Sequence, residues 1–348
     1  MYEFSVSEII RQPNDIVSIR FNDLSGKYPT YKAGQFLTLN FQFGDREVRR
    51  SYSFSSSPSV NESLEITVKR VDNGEISRLL HHKLEINDII EVLDPQGLFT
   101  YEPEVDTTRT VFLFAAGVGI TPLYSILKTA LVEEKNSKVV LIYSNSSKEK
   151  TVFYDELLTW QQRYPTRLHI EFIWSNSKNL AYARLNREYL IELVNQHLQS
   201  DHSQALFYTC GPLFYMDLVR FTLLGMGFPD ENVRRETFHF PEEEEDDDER
   251  EEEIEDTSEY NVTLKFNGQD YNLLVPANQT VLDVGLSHKI KLPYSCKSGM
   301  CSTCISQVVK GGVKMNYNEV LTDNEVERGR CLICVSHPIE DGTIIEVT

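Results

Sequence analysis

The chain is poor in the features that would send it outside the cell, into a membrane or onto a nucleic acid. Its start, MYEFSVSEIIRQ, has neither a basic segment nor an apolar one behind it, so no export signal is read there. Its longest uninterrupted apolar run, VFLFAAGVGI at 111–120, is about half a membrane span. A cytoplasmic protein without a membrane anchor is expected. Positive charge is also short: 34 Lys and Arg stand against 53 Asp and Glu, a net charge of −19. With no basic face to offset that excess, nucleic-acid binding is not expected. Cysteine is scarce, at six residues in 348. In a cytosolic setting those thiols stay reduced, so a disulfide framework is a poor account of them.

What is present is unevenly placed. The segment 241–259, PEEEEDDDEREEEIEDTSE, holds 14 acids and one Arg, a net of −13, which leaves only −6 for the remaining 329 residues. Such a block repels itself and offers almost nothing to bury, so it reads as a flexible acidic linker. It divides the chain into blocks of different character. Residues 1–102 carry short runs such as FLTLNF, SLEITVKRV and DIIEVL, punctuated by Gly, Asn, Asp and Pro, the pattern of a small β-barrel or sandwich. Residues 103–240 alternate apolar strands (TVFLFAAG, KVVLIYSN, HIEFIWS, ALFYTCG) with helical stretches such as PLYSILKTALVEE. That alternation implies an α/β domain with a parallel sheet. Residues 260–348 read as a small α+β unit, with strands at NVTLKFNG, DYNLLVP and TIIEV and a helix around TVLDVGLSHK. The composition is 41% hydrophobic, enough apolar material for several cores.

Three of the six cysteines fall within YSCKSGMCSTC, as Cys296, Cys301 and Cys304, and Cys331 and Cys334 follow. A C-x4-C-x2-C run with one distant Cys is the spacing of a plant-type [2Fe–2S] cluster, which needs four thiolates and a tight loop of small residues that can wrap around it. A zinc site on Cys301, Cys304, Cys331 and Cys334 is the rival. Its C-x26-C gap is longer than usual, and it leaves Cys296 without a task. Spacing alone leaves either Cys331 or Cys334 as the fourth ligand.

Three further motifs accompany the cysteines. Arg50, Tyr52 and Ser53 lie in R-S-Y-S; taken alone, these four residues suit either a flavin or an exposed strand end. ITVKRVDNGEIS places Gly74 and Ser77 at the start of a helix, where free N–H groups bind phosphate. FAAGVGITP joins a strand to a helix, with Gly117 and Gly119 permitting close backbone approach, Thr121 as a cap and Pro122 in the first turn. Pro122 stands where the common G-x-G-x-x-G fingerprint has its third Gly, so a plain tight turn remains an alternative. YTCGP, with Cys210 and Gly211, repeats the strand-to-helix geometry at another strand end, where ligands of open α/β sheets bind.

Taken in order, RxYS, GxxS, GxGxTP and CGP resemble the ferredoxin–NADP reductase superfamily over about residues 1–240. LPYSCKSGMCSTC with GRCLICVSHP resembles the plant-type ferredoxin domain, a β-grasp fold. The whole resembles the reductase components of multicomponent oxygenases, and KMNYNEVLTDNEVERGRCLIC most resembles the phenylacetyl-CoA epoxidase type. The resemblance implies a Greek-key FAD-binding barrel at 1–102, an NAD(P)-binding α/β domain at 103–240 and a ferredoxin domain at 260–348. It implies FAD, a [2Fe–2S] cluster and NADH or NADPH, with electrons leaving to a protein acceptor such as an oxygenase. A stand-alone reductase of a soluble carrier or a ferric chelate is the alternative.

Carried over residue by residue, Arg50 binds the FAD pyrophosphate, Tyr52 packs on the isoalloxazine and Ser53 sits near N5. Val68 and Lys69 line the flavin through their backbone, and Gly74 and Ser77 anchor phosphate. Gly117, Gly119, Thr121 and Pro122 line the nicotinamide site, with Cys210 and Gly211 beside the ring. Glu236 and Phe238 lie near the flavin. Cys296, Cys301, Cys304 and Cys334 are the cluster ligands, which makes Cys331 a spare thiol. Relatives that prefer NADPH often carry an Arg where this chain has Asn176. Lys178 and Arg184 lie nearby, and the nucleotide preference stays open.

Overall fold

A computed structural model describes residues 1–238 and 258–347, and these form two compact units. Most of the expected acidic linker, 241–257, lies outside the described residues.

The first unit opens with β1 (Tyr2–Gln12), β2 (Ile16–Asp23), β3 (Phe36–Phe43), β4 (Arg46–Ser53) and β5 (Leu64–Lys69). The short helix α1 (Glu75–His82) and β6 (Ile89–Val92) follow. Their order in the sheet is β4-β3-β6-β1-β2-β5, and every pairing is antiparallel. The hairpins β1–β2 and β3–β4 are local, while β6 returns to lie between β1 and β3, a Greek-key connection. A bridge between Phe54, just past β4, and Ile66 of β5 joins the two sheet edges and curls the sheet into a barrel. Inward side chains such as Phe4, Ile19, Leu37, Leu39, Ile66 and Val92 fill it.

The same unit continues with β7 (Thr110–Ala116), α2 (Ile120–Glu133), β8 (Lys138–Asn145), α3 (Tyr154–Arg163), β9 (Leu168–Trp174), α4 (Arg187–His197), β10 (Leu206–Cys210), α5 (Leu213–Gly225) and β11 (Val233–Glu236). The five strands are parallel in the order β11-β10-β7-β8-β9. Central strands buried on both faces account for unbroken apolar runs such as TVFLFAA. Helices α2 and α3 pack on one face and α4 and α5 on the other. The order reverses between β7 and β10, so the crevice for a ligand opens at their carboxyl ends. Ala33, Phe99 and Tyr101 of the barrel share a core with Leu123, Ile126 and Leu127 of α2, so barrel and sheet are fused.

The second unit contains β12 (Glu259–Phe266), β13 (Gln269–Pro276), α6 (Val281–Ser287), β14 (Ile305–Lys310), β15 (Val313–Met315), α7 (Asp323–Glu327), β16 (Arg330–Leu332), β17 (Ser336–Pro338) and β18 (Thr343–Val347). Glu259, which the sequence assigns to the linker, is the first residue of β12. The main sheet runs β13-β12-β18-β14-β16, and β15 pairs with β17 apart from it. The last strand, β18, sits in the middle, parallel to β12 and antiparallel to β14. The helix α6 buries Val281, Leu282 and Val284 on this sheet, and Thr280 caps it by accepting from the Asp283 N–H.

Candidate active site and iron–sulfur centre

On β4, Arg50 and Tyr52 are two residues apart and share a face, while Ser53 turns inward and is buried opposite Phe36. Arg50 is exposed and donates to its neighbour's carbonyl, Arg49 O, at 2.7 Å. Among the described residues no carboxylate pairs with it, which leaves a cation available to a pyrophosphate. Tyr52 is half-buried; burial raises its pKa and the nearby Arg50 charge opposes that rise. A neutral aromatic beside an unpaired guanidinium fits a flavin bearing a diphosphate. At the end of β5, the Val68 carbonyl is 3.1 Å from His81 Nε2, which must donate to it, and Lys69 is exposed.

The α1 start differs from the expectation. Gly74 is its N-cap, but Ser77 is buried, with its hydroxyl accepting from the Val71 N–H (3.1 Å) and donating to the Gly74 carbonyl (3.3 Å). The serine hydroxyl braces the turn from within. A Cβ at Gly74 would lie 2.5 Å from that hydroxyl.

The turn after β7 is built from three constraints. Gly117 has φ +56, a conformation costly for residues with a side chain, and a Cβ there would meet nothing within 4 Å. Gly119 is the N-cap of α2, and a Cβ there would lie 2.1 Å from the Cys210 carbonyl oxygen and 3.0 Å from the Gly211 nitrogen. The turn therefore rests directly on the end of β10. The expected cap at Thr121 is not formed. Thr121 lies inside the first turn, buried, and its hydroxyl donates to the Val118 carbonyl at 2.8 Å. No side chain caps α2; its first N–H, that of Ile120, bonds back to the Gly117 and Val118 carbonyls, and Pro122 has none to offer. Pro122 occupies the first turn as expected.

Register places Ala115, Cys210 and Glu236 side by side across β7, β10 and β11. Cys210 is fully buried, and burial, assisted by the Glu236 charge, raises its thiol pKa, so it stays protonated. Glu236 is half-buried, and desolvation pushes it up to about 8, so it holds a proton at neutral pH. Phe238 is 37% exposed two residues further on. At the carboxyl ends of β8 and β9, backbone bonds from Ser175 to Asn145 (3.0 Å) and from Asn176 to Ser146 (3.2 Å) zip the loops together. Lys178 and Arg184 are exposed beyond them.

In the second unit the cysteine loop leads into β14. Lys297 (φ +58) and Gly299 (φ +71) turn it back on itself, and a Cβ at Gly299 would lie 2.6 Å from the Tyr317 carbonyl. The Ser298 N–H points at Cys296 Sγ (3.4 Å), and Cys301 Sγ lies 3.3 Å from Thr303 Oγ1. Hydrogen bonds from Cys301 and Cys334 hold the Cys296 thiol far below the usual range, and contacts with Cys296 and Cys304 push Cys334 up. Pairwise contacts therefore link Cys296 with Cys301 and Cys334, and Cys334 with Cys304. Among the described residues, no three His, Cys, Asp or Glu side chains converge on a position for a single metal ion. Thiols linked in neighbouring pairs are the donor set of a two-iron cluster. Cys331 stands apart: it lies within β16 opposite Ser306, is buried, and its pKa is pushed up to about 12 by burial. Cys334 is in the turn after that strand.

Several contributors carry no signal in the sequence. Tyr143, which reads as core, donates to the Gly117 carbonyl (3.0 Å) and holds the turn from behind. Thr303 and Tyr317, neither of them a metal ligand, shape the cysteine loop.

Comparison with known proteins agrees with this geometry. Three family models match: an oxidoreductase FAD-binding domain over residues 4–101, an oxidoreductase NAD-binding domain over 113–220 and a 2Fe-2S iron–sulfur cluster binding domain over 264–338. Together they define an NAD(P)H-dependent oxidoreductase with FAD and a [2Fe–2S] cluster, and the zinc alternative falls away. The chain is 33% identical, over 98% of its length and 95% of the relative's, to the ferredoxin reductase component of 3-ketosteroid-9-alpha-monooxygenase from Rhodococcus rhodochrous. It is 30% identical, over 99% and 97%, to one of the subunits of 1,2-phenylacetyl-CoA epoxidase from Escherichia coli K12. Its fold matches phthalate dioxygenase reductase with a TM-score of 0.61 at 24% identity, covering 99% of this chain and 97% of that one. It also matches an intact type IV self-sufficient cytochrome P450 monooxygenase with a TM-score of 0.73 at 21% identity, though it spans only 40% of that longer chain. The chain belongs to the ferredoxin–NADP reductase superfamily, in the branch that carries a ferredoxin-type 2Fe-2S domain after the two oxidoreductase domains. Among the described residues no helix is long and apolar enough to cross a membrane.

Proposed function

We propose that this chain is the reductase component of a multicomponent oxygenase, taking electrons from NAD(P)H and delivering them singly to an oxygenase component, of the phenylacetyl-CoA epoxidase type. Arg50 neutralises the FAD pyrophosphate, Tyr52 lies against the isoalloxazine, and Ser53 supplies a hydroxyl beside it. Val68 and Lys69 border the ring, and Gly74 with the bracing Ser77 shapes the phosphate end. Gly117, Gly119, Thr121 and Pro122 seat the nicotinamide nucleotide against the glycine turn that opens α2. Cys210, held as a neutral thiol, packs beside the nicotinamide with Gly211. Glu236 keeps its proton at that edge, and Phe238 shields it. Cys296, Cys301, Cys304 and Cys334 bind the iron. When bound, FAD accepts an electron pair from NAD(P)H and passes it on one electron at a time to the [2Fe–2S] cluster. The domains divide as 1–102, 103–240 and 260–348, in a cytoplasmic protein.

The observation that supports this reading most is the row of β7, β10 and β11 ends, with a glycine turn pressed on Cys210 and a proton-holding Glu236 beside it. The test is the visible spectrum of anaerobically purified protein, before and after one equivalent of NADH or NADPH, followed by addition of a candidate oxygenase component. Overlapping flavin and iron–sulfur bands that bleach, and then recover on adding oxidised oxygenase, are expected. Recovery with ferric chelates alone, and none with the oxygenase, would refute the oxygenase assignment.

A further inference from the structure

Helix α2 buries far more polarity than a helix on a sheet requires. Ser125, Lys128 and Thr129 are at most 3% exposed and lie three and four residues apart, so they form one stripe. The opposite stripe, Leu123, Ile126, Leu127, Ala130 and Leu131, is the apolar one that packs into the core. The polar stripe meets the segment that continues β4. Ser125 donates to the Ser56 carbonyl at 2.5 Å, the Ser57 and Thr129 hydroxyls are 2.7 Å apart, and Lys128 Nζ is 2.5 Å from Glu62. Glu62 also accepts from the Ser57 N–H at 2.6 Å, and the Lys128 ammonium lies 4.3 Å from the Tyr124 ring centroid.

Both sides of this seam are rigid and begin at a site. Ser53 ends the strand that carries Arg50 and Tyr52, and Ser56 follows three residues later. In between, the chain is pinned by the Phe54–Ile66 bridge, by the Ser55 N–H bond to the Glu65 carbonyl (2.9 Å) and by the Tyr31–Ser56 hydroxyl pair (2.8 Å). On the other side, Ser125 is six residues beyond Gly119, within one helix. Two apolar surfaces could slide past each other without losing much, whereas directional bonds fix one register. A buried ammonium is an expensive way to hold a helix, and apolar residues of equal volume commonly give as much stability. Its retention is explained if register is what the seam supplies.

We propose that Ser125, Lys128 and Thr129, bonded to Ser56, Glu62 and Ser57, are positioning residues that set the separation between the nicotinamide nucleotide and the flavin. This rests on the reading of β4 as the flavin strand and Gly117–Gly119 as the nucleotide turn. A 1 Å misplacement of reacting groups can slow a reaction by about a hundredfold.

The test is on the full-length holoenzyme. The double variant Ser57→Ala/Thr129→Val removes both hydroxyls of one bond and also frees the Ser59 N–H, which donates to Ser57 Oγ at 3.2 Å but is half-buried and can turn to water, so stability should change little. Lys128→Met is an independent break, since Glu62 retains access to water. Thr129→Ser keeps the bond. For each, the FAD-to-protein ratio, the affinity for NAD+, the long-wavelength charge-transfer band formed on mixing with NADH, and the flavin reduction rate are measured. Both broken variants should keep FAD and bind NAD+ within about twofold. They should weaken the charge-transfer band and slow flavin reduction by about tenfold or more, and Thr129→Ser should recover both. Unchanged band and rate in the two broken variants overturn the inference. So does a slowing that merely tracks lost FAD. If the unaltered protein binds no FAD or is not reduced by either nucleotide, it is the underlying function that fails.

Discussion

Replacing Gly119 with Ala puts one methyl group into a close backbone contact of the proposed nucleotide site. Its Cβ would sit 2.1 Å from the Cys210 carbonyl oxygen and 2.5 Å from the carbonyl carbon, both backbone atoms of a central strand. Ordinary contact begins at 3.4 Å, so the start of α2 and the end of β10 must separate by about 1.3 Å. Overpacking of this kind costs about 1–3 kcal/mol. At ~2–4 °C per kcal/mol for a unit of this size, the Tm falls by several degrees. The larger effect is on rate, because a 1 Å displacement at a reacting centre is worth up to about a hundredfold. Gly117→Ala is the internal comparison. Its Cβ meets nothing, and only the left-handed backbone is strained, at about 1–2 kcal/mol. The assay is stopped-flow flavin reduction by NADH together with thermal unfolding. Gly119→Ala should be slowed by at least tenfold more than Gly117→Ala at similar stability. Gly117→Asn should regain stability while Gly119→Asn does not. Equal rates in the two alanine variants would refute the argument that the turn is built on Cys210.

Other consequences are directly measurable. Cys334→Ser should lose its iron, whereas Cys331→Ser should keep about two irons per chain and lose only the stability of a buried thiol, about 1–3 kcal/mol; iron analysis of both decides which is the ligand. Glu236 has a pKa raised from 4.5 to about 8 by burial, so folding prefers its protonated form. Relative to Glu236→Gln, the native protein should lose stability as pH rises from 4.5 through 8 and level off above; parallel Tm profiles of the two proteins would contradict this. Glu134 is fully buried and accepts from Tyr101 (2.5 Å), Arg109 (2.5 Å) and the Glu104 N–H (3.0 Å). Glu134→Ala should destabilise the first unit by up to about 3–5 kcal/mol, read from denaturant midpoints, because buried Arg109 then keeps only the exposed Glu104 (3.2 Å) and the Glu102 carbonyl (2.7 Å).

Much of this is legible in residues alone, for reasons that differ by element. The strands β7 and β8 declare themselves as apolar runs because both their faces are covered. The cysteines declare a cluster because three thiolates on a short loop with a fourth further on have few other uses. The strand β11, VRRE, is polar and only four residues long; it is a strand because β10 offers it an edge, which no local pattern reveals. Their places in motifs make Thr121 a cap and Ser77 a phosphate ligand. The Thr121 hydroxyl instead donates to the Val118 carbonyl, and the Ser77 hydroxyl also braces its own turn against Gly74, a competition that spacing does not resolve. The choice between Cys331 and Cys334 needs strand register, because one residue pairs with Ser306 and the other lies in the turn beyond.

The central position of β18 bears on how the iron–sulfur unit matures. In a chain that ends just after Cys334, all four thiols proposed as ligands are present, but the strand that follows the cysteine loop, β14, lacks its neighbour on one side. That neighbour is β18, nine residues later, and it also bonds β12, so it is the piece that unites the two halves of the sheet. A chain truncated before Thr343 is therefore expected to hold the thiols without a stable frame and to retain less iron than the full chain, which iron analysis of the truncated protein would check.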